Sequence, residues 1–373
     1  MLTRFDDFPI HQTPEPIAHP ASTDRNVYDR YWFNGYSADG NLYFGIAFGL
    51  YPNRSIMDCA FSVVVNGIQR SFYASRRAPW ERDELQIGPL RIDIVEPLQT
   101  VKVTLADNET GLGCTLTFSA RTIAIEEERQ VLKREGRVFM DVTRFTQFGF
   151  WDGIILCDGQ SIQVQGKDVY ATRDRSWGVR PVGESPGGAR PKTSPQVFFL
   201  WAPIHWDEMC THAFVFEDST GRQLNGEGKI LRAFPAQQTL AAKDGADVRR
   251  MAGVSHKLVY EPSTRRAQSG EIIMHEPSGQ EVKIAFEPIM RFQMKGIGYR
   301  HPQWSHGVWK GELEIGTDSW TVGSLDPLLV ENVHIQQVVR ARMGDKIGYG
   351  VVEQLCVGPH TPSGFSRWLD GAK

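Results

Sequence analysis

The most informative stretch of the sequence reads Tyr170-Ala171-Thr172-Arg173-Asp174-Arg175-Ser176-Trp177-Gly178-Val179-Arg180-Pro181 and lies near the middle of the 373-residue chain. The two arginines beside Asp174 are expected to lower the pKa of its carboxyl. Desolvation by apolar walls would instead raise that pKa and let the carboxyl carry a proton. A structural Arg–Asp cluster, with Trp177 as a plug between two sheets, explains the same residues, because ion-pair networks resemble functional sites.

Alternation of apolar and polar residues dominates on both sides of this stretch. Apolar residues recur at every second position in segments such as 100–105, 114–118 and 281–287. This period of two predicts antiparallel strands with one face in a core and the other in solvent. Turn sequences such as Asn66-Gly67 and Asp158-Gly159 recur at short intervals, which is typical of sandwiches and barrels. The sequence therefore predicts an all-β fold of two barrel or sandwich domains, mostly antiparallel and with few helices.

Proline and glycine divide the chain into three predicted parts. Residues 1–25 contain four prolines and are expected to form an extended arm. Residues 183–195 are rich in Gly and Pro and poor in apolar residues, as is typical of a domain boundary. We therefore expect an N-terminal β domain at 26–188 and a barrel-like C-terminal domain at 189–373.

Helical pattern is scarce in this sequence. The best helix candidate is Ile125–Arg134, but Glu135-Gly136-Arg137 directly after it fits the turn of a β-hairpin equally well. Both alternatives remain open at this point.

The central segment Asp174-Arg-Ser-Trp-Gly178 resembles the Asp-His-Asn-Trp-Gly and Asp-His-Ser-Trp-Gly motifs of a group of two-domain, lipocalin-like (calycin) proteins. The group includes the AttH-like proteins, the carotenoid 1,2-hydratases and kievitone hydratase, and more distantly the fungal lipocalin-like Diels–Alderases. Segments 166–169 and 196–201 agree in order with its pattern, and 296–311 and 348–354 resemble a bacterial branch that mostly lacks an assigned activity. The resemblance spans residues 26–360 and implies a lipocalin-like fold.

The resemblance also implies a role for the central carboxyl. In the carotenoid hydratases the Asp of this motif is the suspected acid that protonates an isolated alkene, and aromatic rings steady the carbocation. These residues map onto Asp174 and Trp177. The chain departs from the family at Thr172, where the family has Tyr, and at Arg175 and Ser176, where the Asp-His-Asn-Trp-Gly motif has His and Asn. Flanking arginines favour an ionised Asp174, which suits a base or an ion-pair member better than an acid.

Two further segments place histidines among aromatic residues. His205 follows Trp201, and His306 lies between Tyr299 and Trp309. A single histidine is more often structural, but several among aromatic rings can line an apolar pocket and position a proton donor. The candidate catalytic residues are Asp174 and His205, and the candidate substrate-binding residues are Tyr170, Trp177, Trp201, Trp206, Tyr299, Trp304, His306 and Trp309.

Other kinds of chemistry find little support in the motifs. The sequence contains no nucleophile elbow, dinucleotide fingerprint or phosphate loop in the required context, so no cofactor is predicted. His301 and His306 are five residues apart and would lie on opposite faces of a strand, which Pro302 interrupts. No metal site is therefore predicted.

Composition bounds the partners and the compartment. A formal net charge of −3 and a pI near 6.4 argue against a basic nucleic-acid surface. No window holds 18 or more apolar residues, so no membrane span is predicted. The N-terminus lacks the apolar run of a secretory signal, and the five scattered cysteines suit a reducing cytoplasm. No heptad or self-complementary edge specifies an oligomer.

These observations favour a cofactor-independent enzyme that acts on a hydrophobic terpenoid-, steroid- or polyketide-like substrate. Its reaction would be hydration, dehydration or isomerisation by acid–base chemistry in an apolar pocket, and the fungal relatives suggest a pericyclase as a variant. The alternative is a non-catalytic carrier of hydrophobic small molecules. A carrier should tolerate the isosteric replacement of Asp174, and an acid–base enzyme should not.

Overall fold

The computed structural model describes residues 1–166, 168–184, 189, 192, 196–235 and 247–373. Within these residues it contains two antiparallel sheets, one of 14 strands and one of nine, and no α-helix. The all-β prediction is confirmed. Short 3-10 helices lie at Arg4–Asp7, Pro52–Arg54, Met294–Ile297, Val322–Ser324 and Thr361–Ser363.

The strands follow one another with few long connections. In chain order they are β1 (Val27–Ser37), β2 (Leu42–Tyr51), β3 (Ile56–Val65), β4 (Ile68–Arg77), β5 (Gln86–Ile87), β6 (Leu90–Glu96), β7 (Thr100–Leu105), β8 (Leu112–Ala120), β9 (Ile125–Glu126), β10 (Gln130–Arg134), β11 (Arg137–Cys157), β12 (Gln160–Val164), β13 (Val169–Val179), β14 (Val197–His205), β15 (Met209–Glu217), β16 (Gln223–Arg232), β17 (Val248–Arg250), β18 (Gly253–Tyr260), β19 (Ala267–His275), β20 (Glu281–Gln293), β21 (Leu313–Thr321), β22 (Ile335–Met343) and β23 (Lys346–Val357).

The first sheet has the strand order β21-β4-β3-β2-β1-β13-β11-β8-β7-β6-β5, and β9, β10 and β12 also pair with β11. It curls until β5 contacts β3 and β4. Its interior is filled by large apolar side chains that include Phe33, Phe44, Phe118 and Trp151. These side chains alternate along their strands with residues of the other face, as the period of two predicts.

The second sheet has the order β17-β16-β15-β14-β23-β22-β20-β19-β18. Its last strand, β18, contacts β15 and β16, so this sheet also curves around a core of its own. That core includes Leu200, Phe286 and Val352. Of the two sheets, one is nearly closed into a barrel and the other forms a half barrel.

A third core lies between the two sheets. The outer face of the first sheet contributes Trp32 and Tyr43, and the second sheet contributes Trp201, Phe214 and Phe292. Strands at this junction are buried on both faces, so β2 reads as a nearly continuous apolar run. The junction holds the candidate site described below.

The segment Ile125–Arg134 takes the hairpin alternative. Strands β9 and β10 pair with β11, and Glu135 and Gly136 form the turn with positive φ angles of 50° and 80°. Along β10, buried Leu132 lies between exposed Val131 and Lys133, which is the alternation of a strand.

The division into domains at 26–188 and 189–373 stays a prediction, and most of the spacer 183–195 lies outside the described residues. One strand pairing crosses the predicted boundary. Strand β21, from the second half of the chain, pairs with β4 over nine residues and so covers that edge of the first sheet. An uncovered edge would expose a row of unpaired backbone groups.

At the other end of the chain, Arg4–Asp7 of the predicted arm is a 3-10 turn whose Arg4 pairs with Asp83.

Candidate functional site

A cavity of about 750 Å³ opens between the two sheets. Strands β1, β11 and β13 form its first wall, β14 and β23 its second, and the segment after β20 closes one end. The polar and aromatic residues that line it include Trp32, Arg144, Asp174, Arg180, Trp201, Tyr299, His306, His334 and Glu353. Four residues of the sequence-based candidate set are among them: Asp174, Trp201, Tyr299 and His306.

Asp174 faces the cavity because side chains alternate along β13. In the ladder it lies opposite Trp32 of β1 and Thr146 of β11. The neighbouring Arg173 and Arg175 consequently point to the other face of the sheet. Arg173 donates to Gln147 Oε1 over 2.6 and 2.9 Å, and Arg175 pairs with Asp29. The expectation that these arginines hold Asp174 ionised is therefore wrong.

The Asp174 carboxyl has a raised pKa of about 6. Burial is the main cause of the raised pKa. Among the charges, Arg144 and Arg30 lower this pKa, and Glu127 and Glu353 raise it. The nearest cation is Arg144, whose Nε lies 4.0 Å from Asp174 Oδ1. Within the described part of the chain the carboxyl accepts no hydrogen bond that would fix its charged form. A carboxyl in this state can both donate and accept a proton near neutral pH.

Glu127 forms an ion pair with Arg144. Its carboxylate pairs with Arg144 over 3.2 Å and accepts hydrogen bonds from Thr146 over 2.5 Å and from the Trp201 indole over 3.3 Å. His212 Nε2 lies 3.2 Å away. Burial would raise the pKa of Glu127, but Arg144 and His212 together hold it well below its usual range. Arg144 is thus committed to Glu127 and only partly compensates Asp174.

The opposite wall carries a second carboxylate. Glu353 Oε1 accepts a hydrogen bond from His334 Nε2 over 2.6 Å, and Oε2 accepts one from Gln336 Nε2 over 2.6 Å. Gln336 Oε1 in turn accepts from Asn34 Nδ2 over 3.1 Å and from the Tyr43 hydroxyl. This network ties the second sheet to the first, and it places Glu353 in the cavity wall as a fixed hydrogen-bonded group.

Tyr299 lies at one end of the cavity, next to the positively charged Arg30 and Arg180. The guanidinium of Arg30 stands 4.8 Å from the centre of its ring, and Arg180 Nη1 lies 3.5 Å from its hydroxyl. Burial raises the pKa of this phenol, but Arg30 and Arg180 outweigh burial and leave the pKa below its ordinary value. Arg30 contacts both ring nitrogens of His306, with Nη1 3.3 Å from Nδ1 and Nη2 2.9 Å from Nε2, and His306 Nε2 also lies 2.7 Å from the Ile297 carbonyl oxygen.

His205 and Tyr170 do not line this cavity. His205 is fully buried, where its Nε2 donates to the Ala171 carbonyl over 3.1 Å and Arg121 approaches its Nδ1. Burial and the charge of Arg121 hold the pKa of His205 well below its usual range, so this ring is neutral. The ring of Tyr170 packs against that of His205 in a tilted arrangement, with 4.9 Å between the ring centres. The expected pairing of His205 with Asp174 has no support in this geometry.

The four remaining tryptophan candidates also lie elsewhere. Trp177 is three residues from Asp174 and therefore falls on the opposite face of β13, where it is 41% exposed. Trp206 packs in the core of the second sheet, and Trp309 is exposed beneath Arg77. Trp304 stacks on Tyr73 at 5.5 Å, outside the cavity. The expected aromatic wall therefore reduces to Trp201, with Trp32 as a partner that sequence reasoning missed.

The backbone at position 178 of the central motif requires glycine. Its φ is +129°, and a Cβ atom at this position would lie 2.1 Å from the Asp141 carbonyl oxygen of β11. Only glycine fits so close to the neighbouring backbone in that conformation. The motif glycine thus lets β13 pair with β11 at the edge of the cavity.

One group among the described residues has donors close enough to hold a metal ion. Glu127, His212 and Glu227 each offer a ligand atom, and these atoms lie within 4.8 Å of one another. Arg144 pairs with Glu127 over 3.2 Å, and Lys229 pairs with Glu227 over 2.7 Å. The two carboxylates are therefore already neutralised by two cations, which disfavours the addition of a divalent ion.

Comparison with known proteins identifies the fold. A family model described as "Family of unknown function (DUF8625)" matches residues 2–366. No curated protein matches the chain. Of the solved structures, kievitone hydratase from Nectria haematococca matches with a TM-score of 0.51 at 12% identity and 88% coverage of both chains.

Two further solved structures are similar to the chain. An AttH candidate (NE1406) from Nitrosomonas europaea has a TM-score of 0.53 at 12% identity, with 93% of this chain and 98% of that chain covered. CghA has a TM-score of 0.51 at 12% identity, with 89% and 88% covered. At this identity the likeness shows the fold alone. In the fold, the expected resemblance to AttH and kievitone hydratase is confirmed. No helix in the described ranges is long and apolar enough to cross a membrane.

Proposed function

We propose that this chain, which belongs to the DUF8625 family of unknown function, is an enzyme that moves a proton to and from an apolar small molecule. The reaction class is hydration, dehydration or isomerisation of a double bond, and the cavity between the sheets is the active site. Asp174 is the catalytic acid and base. A terpenoid-, steroid- or polyketide-like molecule suits the size and lining of the cavity.

The observation that carries this proposal is the state of Asp174. Its carboxyl lines a cavity of about 750 Å³, lacks a hydrogen bond from the described residues and has a raised pKa of about 6. A carboxyl that serves only structure is normally paired or hydrogen-bonded when buried. Here Arg144 stands 4.0 Å away and is held by Glu127. The Asp174 side chain is 15% exposed, so its carboxyl is largely removed from water without a close partner in the protein. Chemistry in the cavity best explains this arrangement.

The proton balance of a hydration is complete with this one carboxyl and water. Protonated Asp174 transfers its proton to one carbon of an electron-rich double bond and becomes a carboxylate. Water then bonds to the other carbon and gives up a proton, which returns to Asp174. Isomerisation differs only in that the carboxylate removes a proton from a neighbouring carbon, so that the double bond moves. The rings of Trp32 and Trp201 supply π faces that attract developing positive charge.

The comparisons support the same class. One of the structures of similar fold is a hydratase by name, kievitone hydratase. The proposal does not rest on that name, because folds of this kind can host unrelated activities.

A carrier of hydrophobic molecules is the competing function. Binding and transport of such molecules require the apolar cavity but do not require a carboxyl without a hydrogen-bond partner. Replacement of Asp174 by Asn keeps the side-chain volume, so it separates the two functions.

The test begins with native mass spectrometry and solvent extraction of the purified protein to identify a bound apolar molecule. That molecule and its close analogues are then incubated with protein in D2O and, separately, in H2(18)O. An enzyme of the proposed class leaves non-exchangeable deuterium on carbon, and a hydratase also incorporates labelled oxygen. The Asp174→Asn variant should bind the molecule within several-fold and lose roughly 10²- to 10⁴-fold in rate. Binding without label incorporation by the wild type would identify a carrier.

A further inference from the structure

Two arginines at the charged end of the cavity lack acidic partners: Arg180, which lines the cavity, and the buried Arg30 beside Tyr299. Arg30 is only 2% exposed. Among the described residues no carboxylate oxygen lies within 4.0 Å of either guanidinium, whereas surface arginines such as Arg77 do have such partners. Arg30 Nε and Arg180 Nη2 are also buried without a hydrogen-bond partner.

Buried cations normally occur paired, because removing an ionised group from water is costly. The nearby carboxyls do not pair with these arginines: among the described residues Asp174 forms an ion pair only with Arg144, although the charge of Arg30 also lowers its pKa, and two others are engaged elsewhere. Glu353 is bound by His334 and Gln336, and Asp58 accepts hydrogen bonds from the Gly307 amide over 2.6 Å and from the Tyr51 hydroxyl over 3.1 Å. The charge of Arg30 and Arg180 is met instead by the ring faces of Tyr28 and Tyr299.

We propose that this end of the cavity is an oxyanion subsite, in which Arg180 and the Tyr299 hydroxyl bind a negatively charged oxygen on the apolar substrate and Arg30 strengthens the positive field. The substrate class is thereby narrowed to apolar organic acids, such as a carboxylic acid or an ionised enol. This inference rests on the proposed use of the cavity as a substrate site. A guanidinium offers five donors in a planar fork that matches an anionic oxygen pair.

The position of the subsite fits a ligand that also reaches the catalytic carboxyl. Asp174, Ser176 and Arg180 have the same parity along β13 and its end, so they follow one another on the face toward the second sheet. Six residues of strand span at most about 20 Å between Cα atoms. One molecule can therefore place its charged oxygen at Arg180 and its apolar body between Trp32 and Trp201.

The test uses two fluorescent probes that differ by one charged group. These are 8-anilino-1-naphthalenesulfonate, which carries a sulfonate, and N-phenyl-1-naphthylamine, which has the same ring system without it. The wild type should bind the anionic probe at least about 10-fold more tightly. Arg180→Gln should weaken the anionic probe about 10- to 100-fold and the neutral probe less than about twofold, as expected for a lost charge-assisted hydrogen bond.

Two control variants make the result specific. Arg180→Lys keeps the charge and should recover part of the preference, and Arg222→Gln removes an exposed arginine with a 74% exposed side chain and should change neither affinity. Equal affinity of the two probes for the wild type, or equal losses in Arg180→Gln, would overturn the subsite.

A wild-type measurement covers the case in which Arg180→Gln does not fold. Dodecanoate should displace the neutral probe at a concentration at least about 10-fold below that of methyl dodecanoate. Equal displacement by the two would overturn the inference. These binding results are independent of turnover, so the subsite can fail while Asp174 chemistry holds, and the reverse outcome is equally visible.

Discussion

The replacement Asp174→Asn should make the protein more stable at pH 8 while it removes activity. In the folded protein the Asp174 pKa is about 6, against an ordinary value of 3.8. The difference is about two units, and at about 1.4 kcal/mol per unit it corresponds to roughly 3 kcal/mol that the folded state loses when this carboxyl ionises. Asn has nearly the same volume and no charge, so the variant avoids this loss.

The sign of the pH dependence follows from proton binding. Between about pH 4 and pH 6 the folded state holds the Asp174 proton and the unfolded state has released it. Compared with the ionised carboxylate at pH 8, the protonated carboxyl of Asp174 therefore stabilises the folded state. This stabilisation is fully present below the unfolded pKa and is lost as the pH rises through the folded pKa. The stability of Asp174→Asn relative to the wild type should be close to zero at pH 4 and should reach roughly 3 kcal/mol at pH 8.

The assay is calorimetry of both proteins at pH 4 to 8, with urea unfolding where it is reversible. For a chain of this size 3 kcal/mol corresponds to a rise in Tm of roughly 4 °C. Asp107→Asn is the matched control, because Asp107 is exposed and does not line the cavity, so its replacement should leave the stability close to that of the wild type. A variant that is less stable than the wild type by about 3–5 kcal/mol at pH 8 would refute the reasoning, since it would show a structural ion pair with Arg144.

Four further outcomes can be measured. Glu127→Gln should lower the free energy of unfolding by about 3–5 kcal/mol in urea, because Arg144 and His212 lose their buried partner. Since the Glu127 pKa is depressed, this loss should be largest at neutral pH and shrink in acid, and a variant as stable as the wild type would contradict the pairing. Trp32→Phe should weaken the binding of N-phenyl-1-naphthylamine about 3- to 10-fold, whereas Trp304→Phe should not, because Trp32 lines the cavity and Trp304 does not. Equal effects in fluorescence titration would place the probe elsewhere. Gly178→Ala should lower the free energy of unfolding by at least about 3 kcal/mol in calorimetry, since its Cβ would lie 2.1 Å from the Asp141 carbonyl oxygen. Gly323→Ala is the control, because a Cβ at that position meets no neighbour within 4 Å, and an equal loss in this control would refute the steric explanation. Limited proteolysis should cut first within residues 183–195 or before residue 26, and first cuts inside the sheets would contradict the predicted boundary.

Part of the candidate site was predictable from the central motif. The alternation of side chains along a strand places Asp174 on one face and Arg173, Arg175 and Trp177 on the other, once the segment is recognised as β13. Applied consistently, this rule would have separated Asp174 from the flanking arginines and from Trp177. The wrong expectation about its charge came from treating neighbours in sequence as neighbours in space.

Other parts of the site carried no sequence signal. Glu127, His212 and Glu353 lie far apart in the chain, and no spacing connects them with Asp174. Their approach follows from the packing of one sheet on the other. The aromatic candidates show the same limit, because of Trp201, Trp206, Trp304 and Trp309 only Trp201 lines the cavity.

The sequence by itself determined the strands, their turns and the faces of each strand, because steric limits on the backbone and the two-residue period act locally. It also contained the motif around Asp174 and the glycine that its backbone requires. The tertiary structure alone decided which faces meet, and therefore that burial and the charges of Arg144, Glu127, Arg30 and Glu353 act on the pKa of Asp174. It also decided that Arg30 and Arg180 collect around Tyr299. Burial and electrostatic interaction depend on distances between distant parts of the chain, and those distances exist only once the two sheets have packed together.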